Sequence, residues 1–196
     1  MPDAGRVIAG SARSIRLDAP GEGTRPLGDR VKETLFAILE GGALGPWPVP
    51  FLDLFAGSGA GGIEALSRGA PRATFVERDR RAATVIAGNL ARARLAERAT
   101  IVTRDVVDFL DAGAAVGAAS FGAVLVDPPY GDATLGLALE RLAEPAAPWL
   151  AEVAVVVAKH FWRDEPPSRV GGLVVARTRR FGETTLTFYV CGEARP

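Results

Sequence analysis

Five short runs rich in β-branched and aromatic residues alternate with stretches of helical periodicity, and that alternation limits the fold of this chain severely. "FLDLF" (51–55), "ATFVE" (73–77), "TIVTR" (100–104), residues 122–126 and "VAVVVA" (153–158) read as strands. Helical patterns fall between them at 60–68, 79–94, 105–111 and 134–143. Such an order makes a parallel sheet with helices packed on its faces. The ending breaks the rhythm. "GGLVVARTRRF" and "TTLTFYVC" flank Gly182-Glu183, a two-residue hairpin turn, so the last two strands are expected to be antiparallel. The expected class is α/β, with a mostly parallel sheet of seven strands that ends in that hairpin.

Ahead of the alternation lies an extension of about 40 residues. "RVIAG" and "SIRLDAP" are expected to pair as a small hairpin, and "GEGTRPLGD" is a loop. "DRVKETLFAILEGG" reads as a helix with Asp29 as N-cap and glycine at its end. Val31, Leu35, Ile38 and Leu39 form its core stripe, which leaves Asp29, Arg30 and Glu33 nearer the exposed side. "GPWPVP" (45–50) leads into the sheet, and the Ala/Gly tract 112–120 is a loop without readable chemistry. The division expected is 1–40 for the extension and 41–196 for the main domain.

The formal net charge is zero, so no chain-wide basic signal marks a nucleic-acid partner. The cations are lopsided, 21 Arg against two Lys (Lys32 and Lys159), which fits a compositional bias of the coding DNA. One cysteine, Cys191, and one histidine, His160, leave neither a disulfide framework nor a zinc-ligand cluster. "MPDAGRVIAG" has no apolar core of a secretory signal, and no apolar run approaches a membrane span. A cytoplasmic protein without metal or membrane partner is the expectation.

"DLFAGSGAGG" (53–62) follows the first strand and opens a helix, and Gly57, Gly59 and Gly62 satisfy a G-x-G-x-x-G spacing. Glycines there let the backbone turn tightly and approach a ligand, without choosing which. Glu77, 20 residues beyond Gly57, ends the second strand, where a carboxylate can accept from both ribose hydroxyls of a nucleoside. Asp105 ends the third and can cap the next helix, contact an adenine amino group, or do both. Asp127 ends the fourth, in "VLVDPPYGD" (124–132). Ligands of open α/β sheets bind at that carboxyl edge, so these four strand ends point to a nucleoside cofactor.

The chemistry of the tetrapeptide "DPPY" (127–130) suits methyl transfer onto an exocyclic amine. Such an amine is conjugated with its ring and is a poor nucleophile. The Asp127 carboxylate and the Pro128 carbonyl can accept its two N–H protons, aim the nitrogen lone pair and stabilise the charge that develops. Pro128 and Pro129 hold those acceptors rigidly, and Tyr130 offers a ring on which a flipped-out base can stack.

In these pieces the chain resembles a class I S-adenosylmethionine-dependent methyltransferase with a Rossmann-like sheet. More narrowly, it resembles the bacterial small-subunit (16S) ribosomal RNA guanine-N2 methyltransferase family. The likeness spans "RVIAGSARSIRL" (6–17), "TRPLGDRVKETLF" (24–36), "LDLFAGSGAGGIEALSRGA" (52–70), "FVERDRRA" (75–82), "DPPY" and "RRFGETTLTFY" (179–189). It implies S-adenosylmethionine around Asp53, Phe55, Gly57, Ser58 and Gly59, with Glu77 on the ribose and Asp105 and Val106 flanking the adenine. Asp127, Pro128, Pro129 and Tyr130 would hold the guanine amine. Arg6, Arg13 and Arg16 of the hairpin would contact RNA, and Thr24, Arg25, Asp29 and Arg30 would close over the site.

The chain departs from the family pattern at Leu27, Gly28 and Ala37, and its fifth strand ends in Lys159 and His160 instead of a glutamate. A solvated strand-end histidine is the expected state of His160, with a general-base role as the alternative. The expected partner is small-subunit ribosomal RNA or an assembling subunit, and the expected state is a monomer. The competing functions are methylation of a DNA or tRNA amine, a non-catalytic RNA-binding assembly factor and, most weakly, a nicotinamide oxidoreductase.

Overall fold

A computed structural model describes residues 2–21, 27–113, 120–145 and 149–192. The chain opens with β1 (Asp3–Arg6), β2 (Arg16–Asp18) and α1 (Asp29–Glu40). Next come β3 (Phe51–Leu54), α2 (Ala60–Ser67), β4 (Ala73–Glu77) and α3 (Arg80–Ala93). A 3-10 turn (Ala96–Arg98) precedes β5 (Ala99–Thr103), α4 (Val106–Asp111), β6 (Phe121–Val126) and α5 (Thr134–Leu142). β7 (Leu150–Phe161), β8 (Arg169–Val170), β9 (Leu173–Phe181) and β10 (Thr184–Cys191) complete it.

The main sheet runs β5-β4-β3-β6-β7-β10-β9-β8. β3 to β7 are parallel, and β10 lies antiparallel between β7 and β9. The expected alternation, terminal hairpin and Gly182-Glu183 turn are all present, with Gly182 at φ 59°. The two-residue β8 adds an eighth, edge strand that its short sequence gives no pattern to reveal.

Side chains alternate across the sheet, so each strand feeds two cores. Phe51, Phe75, Leu125, Val157 and Phe188 point to the face covered by the N-terminal hairpin, α1, α2 and α3. Leu52, Leu54, Val124, Val126, Val156 and Tyr189 point to the face covered by α4 and α5.

The extension packs into the first of these cores through Ala4, Val7, Leu17, Leu35 and Phe36. Glu64, in mid-helix α2, fastens it there. Glu64 is fully buried and accepts from the backbone N–H groups of Ile8 (2.7 Å) and Ala9 (3.0 Å) and from Arg68 Nε (2.7 Å). Glu64→Gln puts an amide donor against one of these donors. It should lower stability by about 2 kcal/mol, measured by denaturant unfolding.

Two details of the extension differ from expectation. The hairpin pairs Asp3 with Asp18 and Arg6 with Arg16, so its first strand ends where "RVIAG" begins. Gly28, not Asp29, is the N-cap of α1. The Asp29 carboxylate is drawn instead to Arg6 Nε (3.2 Å) and Lys32 Nζ (3.4 Å). Lys32 lies fully buried beside the expected stripe, where it also donates to the Arg6 carbonyl, and burial lowers its pKa. Thr24 and Arg25 lie outside the described residues.

Candidate active site

The carboxyl ends of β3, β4 and β6 open into one cavity of about 720 Å³. Just past β3, Phe55 stands at φ 62° and Gly57 at φ 55°, so the chain doubles back over the strand end. A non-glycine residue in that region is strained, and the Ala56 N–H bond to the Val76 carbonyl (3.0 Å) helps to hold it. The Glu77 carboxylate pins the same loop, accepting from Gly57 N–H (2.8 Å) and Asp79 N–H (2.9 Å). Phe55, Gly57, Ser58 and Glu77 line the cavity.

Asp53 lies under this loop and accepts from Gly62 N–H at 2.7 Å. Burial pushes its pKa up to about 8; the Gly62 bond opposes that rise, and the nearby carboxylates of Asp127 and Glu77 add to it. The three glycines divide their work. Gly57 faces the cavity, whereas Gly59, at φ 79°, is the N-cap of α2 and is not part of the wall. Gly62 lets α2 press on the sheet, since a Cβ there would stand 2.3 Å from Phe75 Cε1. Gly62→Ala should cost about 1–3 kcal/mol of stability in thermal or denaturant unfolding, with cofactor affinity of the folded protein retained.

Asp105 stands just ahead of α4. It caps α4 by accepting from Val107 N–H (2.8 Å), and with Val106 it lines the cavity.

At the end of β6 the structure adds a partner that the sequence does not show. β7 lies beside β6 with Val126 opposite Ala158, so the next residues, Asp127 and Lys159, are neighbours. Lys159 Nζ donates to Asp127 Oδ1 at 2.5 Å and lies 5.1 Å from the centre of the Tyr130 ring. Burial raises the pKa of Asp127, and the Lys159 ammonium opposes that rise. Among the described residues, no donor meets Asp127 Oδ2 or the Pro128 carbonyl oxygen. The Tyr130 hydroxyl is hydrogen-bonded to Thr184 Oγ1 at 2.6 Å, which fixes the ring at the cavity mouth. Thr134 Oγ1, buried in the wall, has no partner among the described residues; a bound polar group would satisfy it.

Among the described residues, the wall carries six acidic side chains (Asp53, Glu77, Asp79, Asp105, Asp127 and Asp132) against two cations, Arg78 and Lys159. Such a surface repels a pyrophosphate and suits a positively charged nucleoside cofactor beside a neutral base. Asp79, Asp132 and Arg78 flank motifs already recognised. Lys159 could be found only by knowing which strands are paired.

His160 is not solvated. It is buried, with its ring nitrogens on the Phe161 carbonyl oxygen (2.8 Å) and Thr187 Oγ1 (2.9 Å), and it is not part of the cavity wall. It points to the sheet face opposite Lys159, because adjacent strand residues alternate. The arginines expected at RNA are not brought into the cavity. Arg6 pairs with Asp29 and Arg16 with Asp3 (2.8 Å), while Arg13 and Arg30 are exposed.

Residues 5–190 match the model of the family described as Conserved hypothetical protein 95. A Bacillus subtilis (strain 168) protein provisionally named rRNA methyltransferase YlbH is 38% identical over 189 residues, covering 94% of this chain and 97% of that one. Ribosomal RNA small subunit methyltransferase D of Escherichia coli (strain K12) is 37% identical over 158 residues, covering 77% of this chain and 72% of that one. The solved structure of an Escherichia coli protein provisionally titled methyltransferase yhhF superposes with a TM-score of 0.77 at 33% identity, covering 95% of this chain and 97% of that one. The chain therefore belongs to the Conserved hypothetical protein 95 family, the family of the small-subunit ribosomal RNA methyltransferases D.

Proposed function

We propose that this protein methylates the exocyclic N2 of a guanine in small-subunit ribosomal RNA, using S-adenosylmethionine. The observation that carries the reading is the pair of open acceptors, Asp127 Oδ2 and the Pro128 carbonyl, beside a carboxylate already held by Lys159. Two acceptors match the two N–H groups of an amine, and the family's named members act on ribosomal RNA.

Asp53, Phe55, Gly57, Ser58, Glu77, Asp105 and Val106 would hold the cofactor in the acidic part of the cavity. Bound S-adenosylmethionine supplies a methyl group activated by the sulfonium. The chain's own part is alignment and charge. Asp127 and Pro128 accept the amine protons, so the nitrogen lone pair is exposed and the charge rising on nitrogen meets a carboxylate. The Tyr130 ring, held by Thr184, supports the flipped base. The proton left on nitrogen passes to water after the transfer, and His160, turned to the opposite face, takes no part. The N-terminal extension contributes Pro20 and Leu27 to the cavity wall. We place the protein in the cytoplasm, acting as a monomer.

Purified protein incubated with methyl-labelled S-adenosylmethionine and either bare small-subunit RNA or assembled small subunits, both from cells lacking the enzyme, should label one of them. The better acceptor shows when in assembly the enzyme acts. A binding shift with a nicotinamide dinucleotide and no label in RNA would overturn the reading.

A further inference from the structure

The cavity can accept a base but not its phosphates, because its wall is acidic. Cations outside it must therefore hold the RNA backbone; of the three hairpin arginines, Arg6 and Arg16 are paired with Asp29 and Asp3, and Arg13 is a single exposed cation. We propose that the β9–β10 hairpin and the turn after β7 are the surface that grips the single-stranded RNA flanking the target guanine. This rests on the ribosomal RNA reading above.

Three observations place the strand there. First, the surface is continuous with the target-base site. Tyr130 is bonded to Thr184, the first residue of β10, and its ring lies 5.9 Å from that of Phe161. Phe161 in turn lies 6.1 Å from Trp162.

Second, cations are concentrated there. Residues 161–184 hold five arginines against three acids (Asp164, Glu165 and Glu183) in a chain of zero net charge. Leu186 of β10 is paired with both Lys159 and Arg179, so these three side chains form one row on one face. Arg179 is thus two strand spacings, about 10 Å, from Lys159, and Arg177 follows on the same face. Arg163 and Arg180 lie 4.7 and 4.0 Å from the centre of the Trp162 ring.

Third, these cations are uncommitted. Among the described residues, none of Arg163, Arg177, Arg179 and Arg180 is in an ion pair; Arg179 and Arg180 donate only to backbone carbonyls, those of Thr178 and Gly182. Guanidinium groups interleaved with an indole are what a single strand needs, phosphate contacts with planes on which unstacked bases lie.

The test titrates small-subunit ribosomal RNA, from cells lacking the enzyme, onto wild type, Arg177→Ala/Arg179→Ala/Arg180→Ala, the corresponding triple lysine variant, and Arg6→Ala/Arg16→Ala. Dissociation constants are measured across salt concentrations, alongside kcat, KM for RNA and S-adenosylmethionine affinity. The triple alanine variant should bind RNA at least about tenfold more weakly, with its salt slope smaller by about two to three. Its KM for RNA should rise while kcat and cofactor affinity stay at wild-type values. The lysine variant should regain most of the affinity, since a phosphate accepts a point charge. Wild-type RNA affinity and salt slope in the triple alanine variant would overturn the proposal and leave the RNA reading intact. A wild-type protein that neither binds nor methylates the RNA would overturn both. Loss of cofactor affinity with no recovery on lysine substitution would also overturn the proposal, since it makes these residues structural.

Discussion

Asp127→Ala should leave S-adenosylmethionine bound and remove methyl transfer. In the proposed mechanism the substitution takes away the side-chain acceptor for the target amine and the negative charge that offsets the positive charge rising on nitrogen. We expect kcat to fall by at least about 10³-fold, on the order of 4 kcal/mol of transition-state stabilisation. Cofactor affinity, measured by titration, should change little, because the glycine loop, Glu77 and Asp105 lie on other strands. Full activity in this variant would sink the amine-methyltransferase assignment.

The second large effect belongs to Lys159→Met. In the native site two influences act on Asp127: burial raises its pKa and the Lys159 ammonium lowers it. Methionine keeps the burial and removes the opposing charge, so the carboxyl group holds its proton to higher pH. The ionised form is the one that accepts the amine protons, and it is lost as pH falls through that pKa. The acidic limb of the pH–rate profile should therefore move to higher pH in the variant. Activity near pH 7 should drop and recover as the pH is raised. Lys159→Arg keeps the charge and should keep the limb close to its native position. An unshifted limb in Lys159→Met would show that the ion pair does not set the state of Asp127.

The strand ends were legible in the sequence because their signals are local. A hydrophobic run that gives way to Gly57, Glu77 or Asp127 announces both the strand and its carboxyl end, and Asp105 announces the next helix as well. Signals that depend on pairing were not legible. Lys159 looks like any strand-end cation until β7 is laid beside β6. His160 looks solvated for the same reason, although β10 brings Thr187 to its ring. Nothing local marks Glu64 in mid-helix, yet two backbone N–H groups 55 and 56 residues earlier make it a buried clasp. Asp29 has the composition of an N-cap, but Arg6 and Lys32 offer its carboxylate stronger partners than the helix end does. In each case a long-range contact overrode a local preference.

The glycine motif carries a related lesson. Its spacing satisfies a dinucleotide pattern, but Gly62 serves the packing of α2 on Phe75 and only Gly57 of the three lines the cavity. The charges of the wall, more than the glycines, distinguish a cationic nucleoside from a pyrophosphate.

The measurement that bears most directly on the account is the identity of the methylated nucleoside. Small-subunit RNA labelled by the protein and S-adenosylmethionine would be digested to nucleosides and the products separated by mass spectrometry. The predicted result is label in N2-methylguanosine. Label in another nucleoside would contradict the assignment to a guanine N2, while leaving amine methylation at Asp127 and Pro128 in place.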